Sequence, residues 1–189
     1  MQLPQHTANR PGSQVDIQRA DAALAPGGRA DSGRPPIRSL YIHTPFCIHK
    51  CHYCDFYSFV DTRDQQAAFV DRLVSELRAL APFAAGAQLS TVFVGGGTPS
   101  LLRIDLWQRV LRALNELFDL SLVREGQPVD SFGLAEFTVE CNPESATSEL
   151  MSVLRAGGVN RVSIGAQSFD ARHLKTLERL HNPDNVVRA

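Results

Sequence analysis

CIHKCHYCDF, residues 47–56, carries three closely spaced cysteines, at positions 47, 51 and 54 of the chain. The residues between them include two histidines, His49 and His52, so the stretch lacks the apolar period of a core element. The plain alternative, three thiols simply buried in a core, is disfavoured by this polar spacing. Crowded cysteines of this kind are typical of metal ligands, and the loop is therefore predicted to hold a metal centre.

Two kinds of metal centre compete for Cys47, Cys51 and Cys54. In a zinc site, Cys51-x-x-Cys54 forms a knuckle, and Cys47 with one histidine completes a tetrahedron. The histidines near enough in sequence are His43, His49 and His52. Structural zinc usually draws on two separated pairs, and the chain offers no second pair. A four-iron cluster fits better, because three cysteines bind three irons and leave the fourth iron open to a small ligand.

The composition is that of a soluble globular protein, with 189 residues of which 43% are hydrophobic and 21% charged. A net charge of −1 gives no electrostatic footprint for nucleic acid. No apolar run is long enough to span a membrane, and the first residues lack the charged and apolar regions of a secretory signal peptide, so neither feature is expected. Four cysteines, three of them clustered, do not resemble a secreted disulfide framework, so we expect a reducing cytoplasm.

Residues 1–38 differ from the rest of the chain, since they contain five prolines, four glycines and few large apolar residues. They are predicted to form a disordered N-terminal extension. Residues 39–189 are predicted to form the N-terminal part of one core domain. Because their four βα units cannot close a barrel, we expect the chain to be the front part of a longer protein.

Four β-rich runs alternate with four helical patterns in this core. The runs are SLYIH at 39–43, STVFV at 90–94, EFTVE at 136–140 and NRVSIGA at 160–166. The helical patterns cover 64–80, 105–117 and 147–156, and a last helix is expected to be capped by Asp170 and to bury Leu174, Leu177 and Leu180. This alternation implies βαβ units and a parallel sheet. Right-handed crossovers make such a sheet curl, so the predicted fold class is α/β, a partial and open TIM-like barrel.

Each predicted strand is followed by an unusual stretch. The cysteine loop follows the first strand, GGGTPS (95–100) the second, ECNPE (140–144) the third and GAQSF (165–169) the fourth. Ligands of α/β proteins gather at the carboxyl ends of parallel strands. We therefore expect these four stretches to converge on one site.

These motifs resemble the radical S-adenosylmethionine (SAM) superfamily, whose signature is similar to the C-x3-C-x2-C spacing at 47–54. The wider stretch SLYIHTPFCIHKCHYCDFYSF (39–59), with GGGTPS and GVNRVSIGAQSFD (158–170), resembles the oxygen-independent coproporphyrinogen III oxidase group and its HemW-type heme chaperone branch. The resemblance covers roughly residues 38–182. It implies a [4Fe–4S] cluster on the three cysteines, and SAM chelated to the open iron through its amino and carboxylate groups. One electron from the cluster then cleaves SAM to methionine and a 5′-deoxyadenosyl radical.

The resemblance also implies a set of SAM contacts. They are Tyr41, Tyr53, Gly96, Gly97, Thr98, Glu140, Gln167 and Arg179. The resemblance implies that Tyr41 approaches SAM, that the backbone of Tyr53 faces the adenine, and that Glu140 binds the ribose. Gly96, Gly97 and Thr98 receive the amino end of SAM.

Each contact has a plainer reading. For Tyr41 the alternative is a strand aromatic that packs on the core. For Arg179 the alternative is a surface residue late in a helix. The glycine run is equally a tight turn, although it lacks the G-x-G-x-x-G spacing of a nucleotide-phosphate loop. Cys141, outside the cysteine loop, is read as a small core residue and not as a ligand.

Two functions follow from the resemblance. The first is a protein that binds heme and delivers it to heme-accepting proteins. This function also requires an electron donor for the cluster, and no residue of the chain is assigned a catalytic role. The alternative is an enzyme, the oxygen-independent coproporphyrinogen III oxidase, which forms protoporphyrinogen IX by SAM-radical decarboxylation. Phe56 favours the first, since the oxidases carry a further cysteine at that position, and phenylalanine neither binds iron nor exchanges protons.

Overall fold

The computed structural model describes residues 36–126 and 135–189. The predicted disordered extension lies outside this described part, apart from residues 36–38. The strands are β1 (Ser39–Thr44), β2 (Phe46–Cys47), β3 (Phe59–Val60), β4 (Thr91–Gly96), β5 (Glu136–Cys141) and β6 (Arg161–Ile164). The helices are α1 (Gln66–Leu80), α2 (Ile104–Leu117), α3 (Ser121–Glu125), α4 (Ser148–Ala156), α5 (Ala171–Thr176) and α6 (Pro183–Arg188).

Four of these strands form a parallel sheet in the order β1-β4-β5-β6. Tyr41 of β1 pairs with Phe93 of β4, and Glu140 of β5 pairs with Ser163 of β6. Helices connect successive strands of this sheet, as parallel pairing requires. The predicted α/β class with its four βα units is confirmed. β2 and β3, two residues each, were not predicted; they pair in parallel at the base of the cysteine loop.

The sheet has one apolar and one largely polar face. Along β1, Leu40 and Ile42 are buried, whereas Tyr41 points to the opposite, more exposed face. The fully buried side chains between sheet and helices include Val70, Val92, Val94, Leu106, Trp107, Leu114, Phe137, Leu150 and Leu154. Burial of this apolar face holds the helices on one side of the sheet and leaves the carboxyl ends of the strands free for a site.

The last predicted helix is correct at its start and wrong at its end. Asp170 caps α5, because its side chain accepts a hydrogen bond from Arg172 N at 2.8 Å. The helix then stops at Thr176, and Leu180, which the helical pattern placed in the core, is 61% exposed.

The helix ends in a left-handed turn at Glu178, whose φ is 53°. Glu178 N donates to Lys175 O at 3.1 Å, and Arg179 N donates to Leu174 O at 2.9 Å. These two bonds are those of a Schellman motif, in which glycine is the usual residue at the left-handed position. The turn reverses the chain and directs Arg179 back towards the sheet.

Candidate functional site

The cysteine loop joins β2 to β3 at the carboxyl end of β1. Cys47 closes β2, and Cys54 N donates to Cys51 O at 3.0 Å, which makes a turn. All three thiols are free and half-buried. Lys50 braces the loop, since its Nζ donates to Ser58 Oγ at 2.9 Å. Among residues 36–126 and 135–189, His, Cys, Asp and Glu side chains form no group of three or more arranged to hold a metal ion.

The glycine run packs directly against the cysteine loop. Gly96 is the last residue of β4, so the run begins inside the strand and not after it. Gly97 N donates to Thr44 O and Thr98 N donates to Phe46 O, both at 2.7 Å. A Cβ on Gly97 would lie 2.6 Å from Phe46 O. The absence of a side chain therefore serves contact with the cysteine loop, and the Gly97 and Thr98 N–H groups are already bonded within the protein.

A cavity of about 340 Å³ lies at the carboxyl ends of β4, β5 and β6. It is lined by Tyr53, Gly96, Gly97, Thr98, Glu140, Gln167 and Arg179. These are the predicted SAM contacts, apart from Tyr41. Cys54 and Phe56 of the cysteine loop also face it. The structure thus brings stretches from all four βα units to one site, as the strand order predicts.

Tyr41 lies outside this cavity, on the polar face of β1, and is 61% exposed. His43 Nε2 lies 2.7 Å from Tyr57 O, and His43 Nδ1 lies 3.0 Å from the Tyr41 hydroxyl. Because a carbonyl only accepts, Nε2 carries the proton, and Nδ1 accepts from Tyr41. Partial burial, and next the charge of Glu140, raise the pKa of Tyr41. Tyr41 is therefore tied through His43 to the end of the cysteine loop.

Arg179 is a residue of the site and not of the surface. Its Nη1 lies 3.7 Å from Cys51 Sγ, and its Nη2 donates to Asn142 Oδ1 at 2.9 Å and to Gly165 O at 3.1 Å. Its buried Nε has no hydrogen-bond partner in the part of the chain that the structure describes. A buried donor of a cation normally has a partner, so this nitrogen fits an anionic group in the cavity.

Asn142 is a site residue that the sequence did not single out, although it lies in the ECNPE stretch. Its Nδ2 is 3.5 Å from Thr98 Oγ1, and its backbone N donates to Ser100 Oγ at 3.1 Å. With the bond from Arg179, this amide joins three loops of the rim. The signal in the sequence was its position directly after a strand.

Cys141 is buried beneath the site, as expected of a core residue. Burial raises the pKa of its thiol to about 11, with a smaller contribution from the charge of Glu140 and an opposing hydrogen bond from Ser100. The group therefore stays protonated at neutral pH.

The fold and the site define a class of protein, and the family comparison names it. The family model described as the radical SAM superfamily matches residues 41–189. The chain belongs to the radical SAM superfamily. Membership of this family implies a [4Fe–4S] cluster and SAM as cofactors. The three free thiols, of which Cys54 lines the cavity, and the guanidinium of Arg179 fit these two groups by their chemistry.

Individual relatives agree with this assignment. The chain is 35% identical over 156 residues to the heme chaperone HemW of Buchnera aphidicola subsp. Schizaphis graminum, over 82% of this chain and 38% of the relative. It is 37% identical over 156 residues to the heme chaperone HemW of Escherichia coli K12, again over 82% of this chain and 38% of the relative. The chain thus spans little more than a third of the curated relatives that it matches.

A solved structure is also similar. It is coproporphyrinogen III oxidase (HemN) from Escherichia coli, described as a radical SAM enzyme. The TM-score is 0.68 at 27% identity, over 90% of this chain and 36% of that chain. The resemblance to the coproporphyrinogen oxidase group and its heme chaperone branch is therefore confirmed.

None of the described helices is long and apolar enough to cross a membrane.

Proposed function

We propose that Cys47, Cys51 and Cys54 bind a [4Fe–4S] cluster beside a SAM pocket. The observation that carries this proposal is the position of the three free thiols at a cavity lined by seven of the eight expected SAM contacts: Cys54 lines it, and Cys47 and Cys51 contact its lining residues Thr98 and Arg179. When bound, the cluster supplies the single electron by which this superfamily cleaves SAM. All other interactions in the pocket are made by residues of the chain itself.

Several residues of the cavity share the recognition of SAM. Glu140 accepts hydrogen bonds from the ribose hydroxyls, and the Tyr53 backbone faces the adenine. Arg179 lines the cavity, and its guanidinium charge favours the carboxylate of SAM. Gly96, Gly97 and Thr98 line the part of the cavity that receives the amino end. The remaining contact in the cavity, Gln167, has a φ of 55°, a strained conformation of the kind found at binding sites.

Tyr41 has an indirect role in this proposal. It does not line the cavity, and its hydroxyl is used by His43. Because His43 also bonds Tyr57 O, Tyr41 and His43 together fix the end of the cysteine loop. Tyr41 is thus a positioning residue in this conformation.

For the whole protein we infer heme binding and delivery to heme-accepting proteins, with a separate electron donor reducing the cluster. The name heme chaperone belongs to the relatives at 35% and 37% identity. Phe56 supports the same function here, because it faces the cavity and is 61% exposed. A phenylalanine at this position only packs and excludes water, whereas the oxidases of the group carry a cysteine there. Clustered free thiols also favour a reducing compartment, the cytoplasm.

The competing function is that of the oxidase, and it rests on the structural similarity to HemN. That similarity comes with 27% identity, below the identity to the heme chaperones. The shared fold carries a radical SAM pocket in either case, so the fold alone does not favour decarboxylation.

Anaerobic reconstitution tests the cluster. The protein is expected to turn brown and to hold about four iron atoms with acid-labile sulfide, as a four-iron cluster requires. Stoichiometric zinc without labile sulfide, in protein purified anaerobically, would contradict the proposal.

A second experiment separates the two functions. Reconstituted full-length protein is incubated anaerobically with SAM, a reductant and coproporphyrinogen III, with the oxidase HemN as the positive control. We expect tight heme binding in a parallel titration and no release of carbon dioxide. Turnover with carbon dioxide release would assign the protein to the oxidases.

A further inference from the structure

Two of the three loop cysteines receive a hydrogen-bond donor from elsewhere in the fold. Thr98 Oγ1, after β4, lies 3.8 Å from Cys47 Sγ. Arg179 Nη1, after α5, lies 3.7 Å from Cys51 Sγ. Both distances are within reach of the large sulfur atom, and both donors come from loops that are remote in sequence.

Asn142 connects these two donors. Its Oδ1 accepts from Arg179 Nη2 at 2.9 Å, and its Nδ2 faces Thr98 Oγ1 at 3.5 Å. The guanidinium only donates, so it fixes which end of the amide is the oxygen and turns the N–H group towards Thr98. Thr98 then accepts from Asn142 and has its own hydrogen free for Cys47. One amide therefore orients a donor to Cys47 and a donor to Cys51.

The backbone around Asn142 is held in place as well. Asn142 N donates to Ser100 Oγ, and Asn142 O accepts from Ser145 N and Ala146 N, each at 3.1 Å. The amide thus has a fixed position between β4 and α5.

We propose that Asn142 is a positioning residue that raises the reduction potential of the cluster, by holding Thr98 against Cys47 and Arg179 against Cys51. This rests on the proposed function, in which these cysteines bind the cluster. Donors to a ligating sulfur, and a nearby positive charge, stabilise the reduced and more negative state of an iron–sulfur centre. Without Asn142, Thr98 loses the donor that orients it and Arg179 keeps only its bond to Gly165 O, so the reduced state loses part of that stabilisation.

The test is a reductive titration of the reconstituted full-length protein without SAM, followed by electron paramagnetic resonance. In Asn142→Ala we expect the midpoint potential to fall, by up to tenfold in the reduction equilibrium, or about 59 mV for one electron. Thr98→Val is expected to lower the potential by less. In the Asn142→Ala background, Thr98→Val adds little, because the hydroxyl has already lost its orientation.

Asn115→Ala is the matched control. Asn115 Oδ1 accepts from Arg124 Nη2, in the same way as Asn142 accepts from Arg179, but Asn115 lies on α2 away from the cavity. Its loss is expected to lower the free energy of unfolding and to leave the potential unchanged. If Asn142→Ala does not fold, Asn142→Leu decides, since it keeps the approximate size of the side chain, removes both the acceptor for Arg179 and the N–H donor to Thr98, and adds no charge; the potential is again expected to fall.

The outcomes are separable. A wild-type protein without a cluster would overturn the proposed function together with this inference. A wild-type protein with about four iron atoms, and an unchanged potential in the Asn142 variant that folds, would overturn the inference alone. An equal shift in Asn115→Ala would also overturn it, because the effect would then be one of general stability.

Discussion

The carbonyl oxygen of Phe46 occupies the space that a side chain on Gly97 would need, 2.6 Å from the position of its Cβ. The same oxygen accepts a hydrogen bond from Thr98 N at 2.7 Å. The glycine run and the cysteine loop are therefore a single packed unit, in which each fixes the other.

Gly97→Ala is expected to disturb this unit. The clash is with backbone and not with a flexible side chain, so we expect a loss of about 1–3 kcal/mol in the free energy of unfolding, as for overpacked sites. Because the displaced backbone carries Cys47, iron loading on reconstitution should fall as well. Urea denaturation and iron analysis measure the two effects.

Gly86→Ala separates strain from displacement. Gly86 has a φ of 76° and nothing within 4 Å of its Cβ position, so alanine there is strained but clashes with nothing. It should cost stability and leave iron loading at the wild-type level. Equal loss of iron in the two variants would show that the contact with Phe46 is not the cause.

The cysteines predict a clear pattern of substitutions. Cys47→Ala, Cys51→Ala and Cys54→Ala should each abolish the cluster, because each removes one of three ligands. Cys141→Ala should retain it, since that thiol is buried and protonated. Iron and labile-sulfide analysis after anaerobic reconstitution measures all four. Full loading in any of the first three variants would contradict the ligand assignment.

The pH dependence of alkylation tests the environment of Cys141. Only the thiolate reacts, and burial raises the pKa of this thiol to about 11. In cluster-free folded protein, Cys141 should react with iodoacetamide about a hundredfold more slowly at pH 8 than an exposed thiol, from about two pKa units. The native state also binds the thiol proton of Cys141 more tightly than the unfolded state does. The free energy of unfolding should therefore fall as pH rises from about 9 through about 11. Peptide mapping that finds Cys141 labelled as fast as the loop cysteines would contradict this account.

Glu178 offers a stabilising substitution. A residue with a side chain in the left-handed region costs about 1–2 kcal/mol, and glycine loses roughly half of that gain through its greater freedom in the unfolded chain. Glu178→Gly should therefore raise the free energy of unfolding by about 0.5–1 kcal/mol.

Glu178→Ala is the control for this position. It keeps the left-handed strain and removes the contacts of Glu178 with His49 and His52, which are exposed and contribute little. Urea denaturation should rank the glycine variant above wild type and the alanine variant at or slightly below it. A glycine variant less stable than wild type would mean that the histidine contacts outweigh the backbone strain.

Much of the fold could be predicted from the sequence, because its apolar pattern is regular. β1, β4 and β5 begin or end within two residues of the predicted runs, since each buries alternate or successive apolar side chains. The end of α5 could not be predicted in this way. LERLHN contains no glycine at the turn, and Glu178 takes a conformation that its residue type disfavours.

The site was predictable where one stretch of sequence carries its own signal, as the cysteines and the glycine run do. Asn142 has only the weaker signal of its position after a strand, because its partner in the site, Arg179, lies 37 residues further along the chain. Tyr41 differs from the other SAM contacts that the resemblance implies. It does not line the cavity, and its hydroxyl is hydrogen-bonded to His43.

The contact between Cys51 and Arg179 joins residues 128 positions apart, across all four βα units. Long-range contacts of this kind form late in folding, because the entropy of closing the intervening loop must be overcome first. The cysteine loop leaves the ribosome before Arg179, and Arg179 reaches it only once the intervening strands have assembled into the parallel sheet. The thiols are thus synthesised before the residues that surround them have folded. A cluster inserted before the sheet is assembled would meet an incomplete pocket.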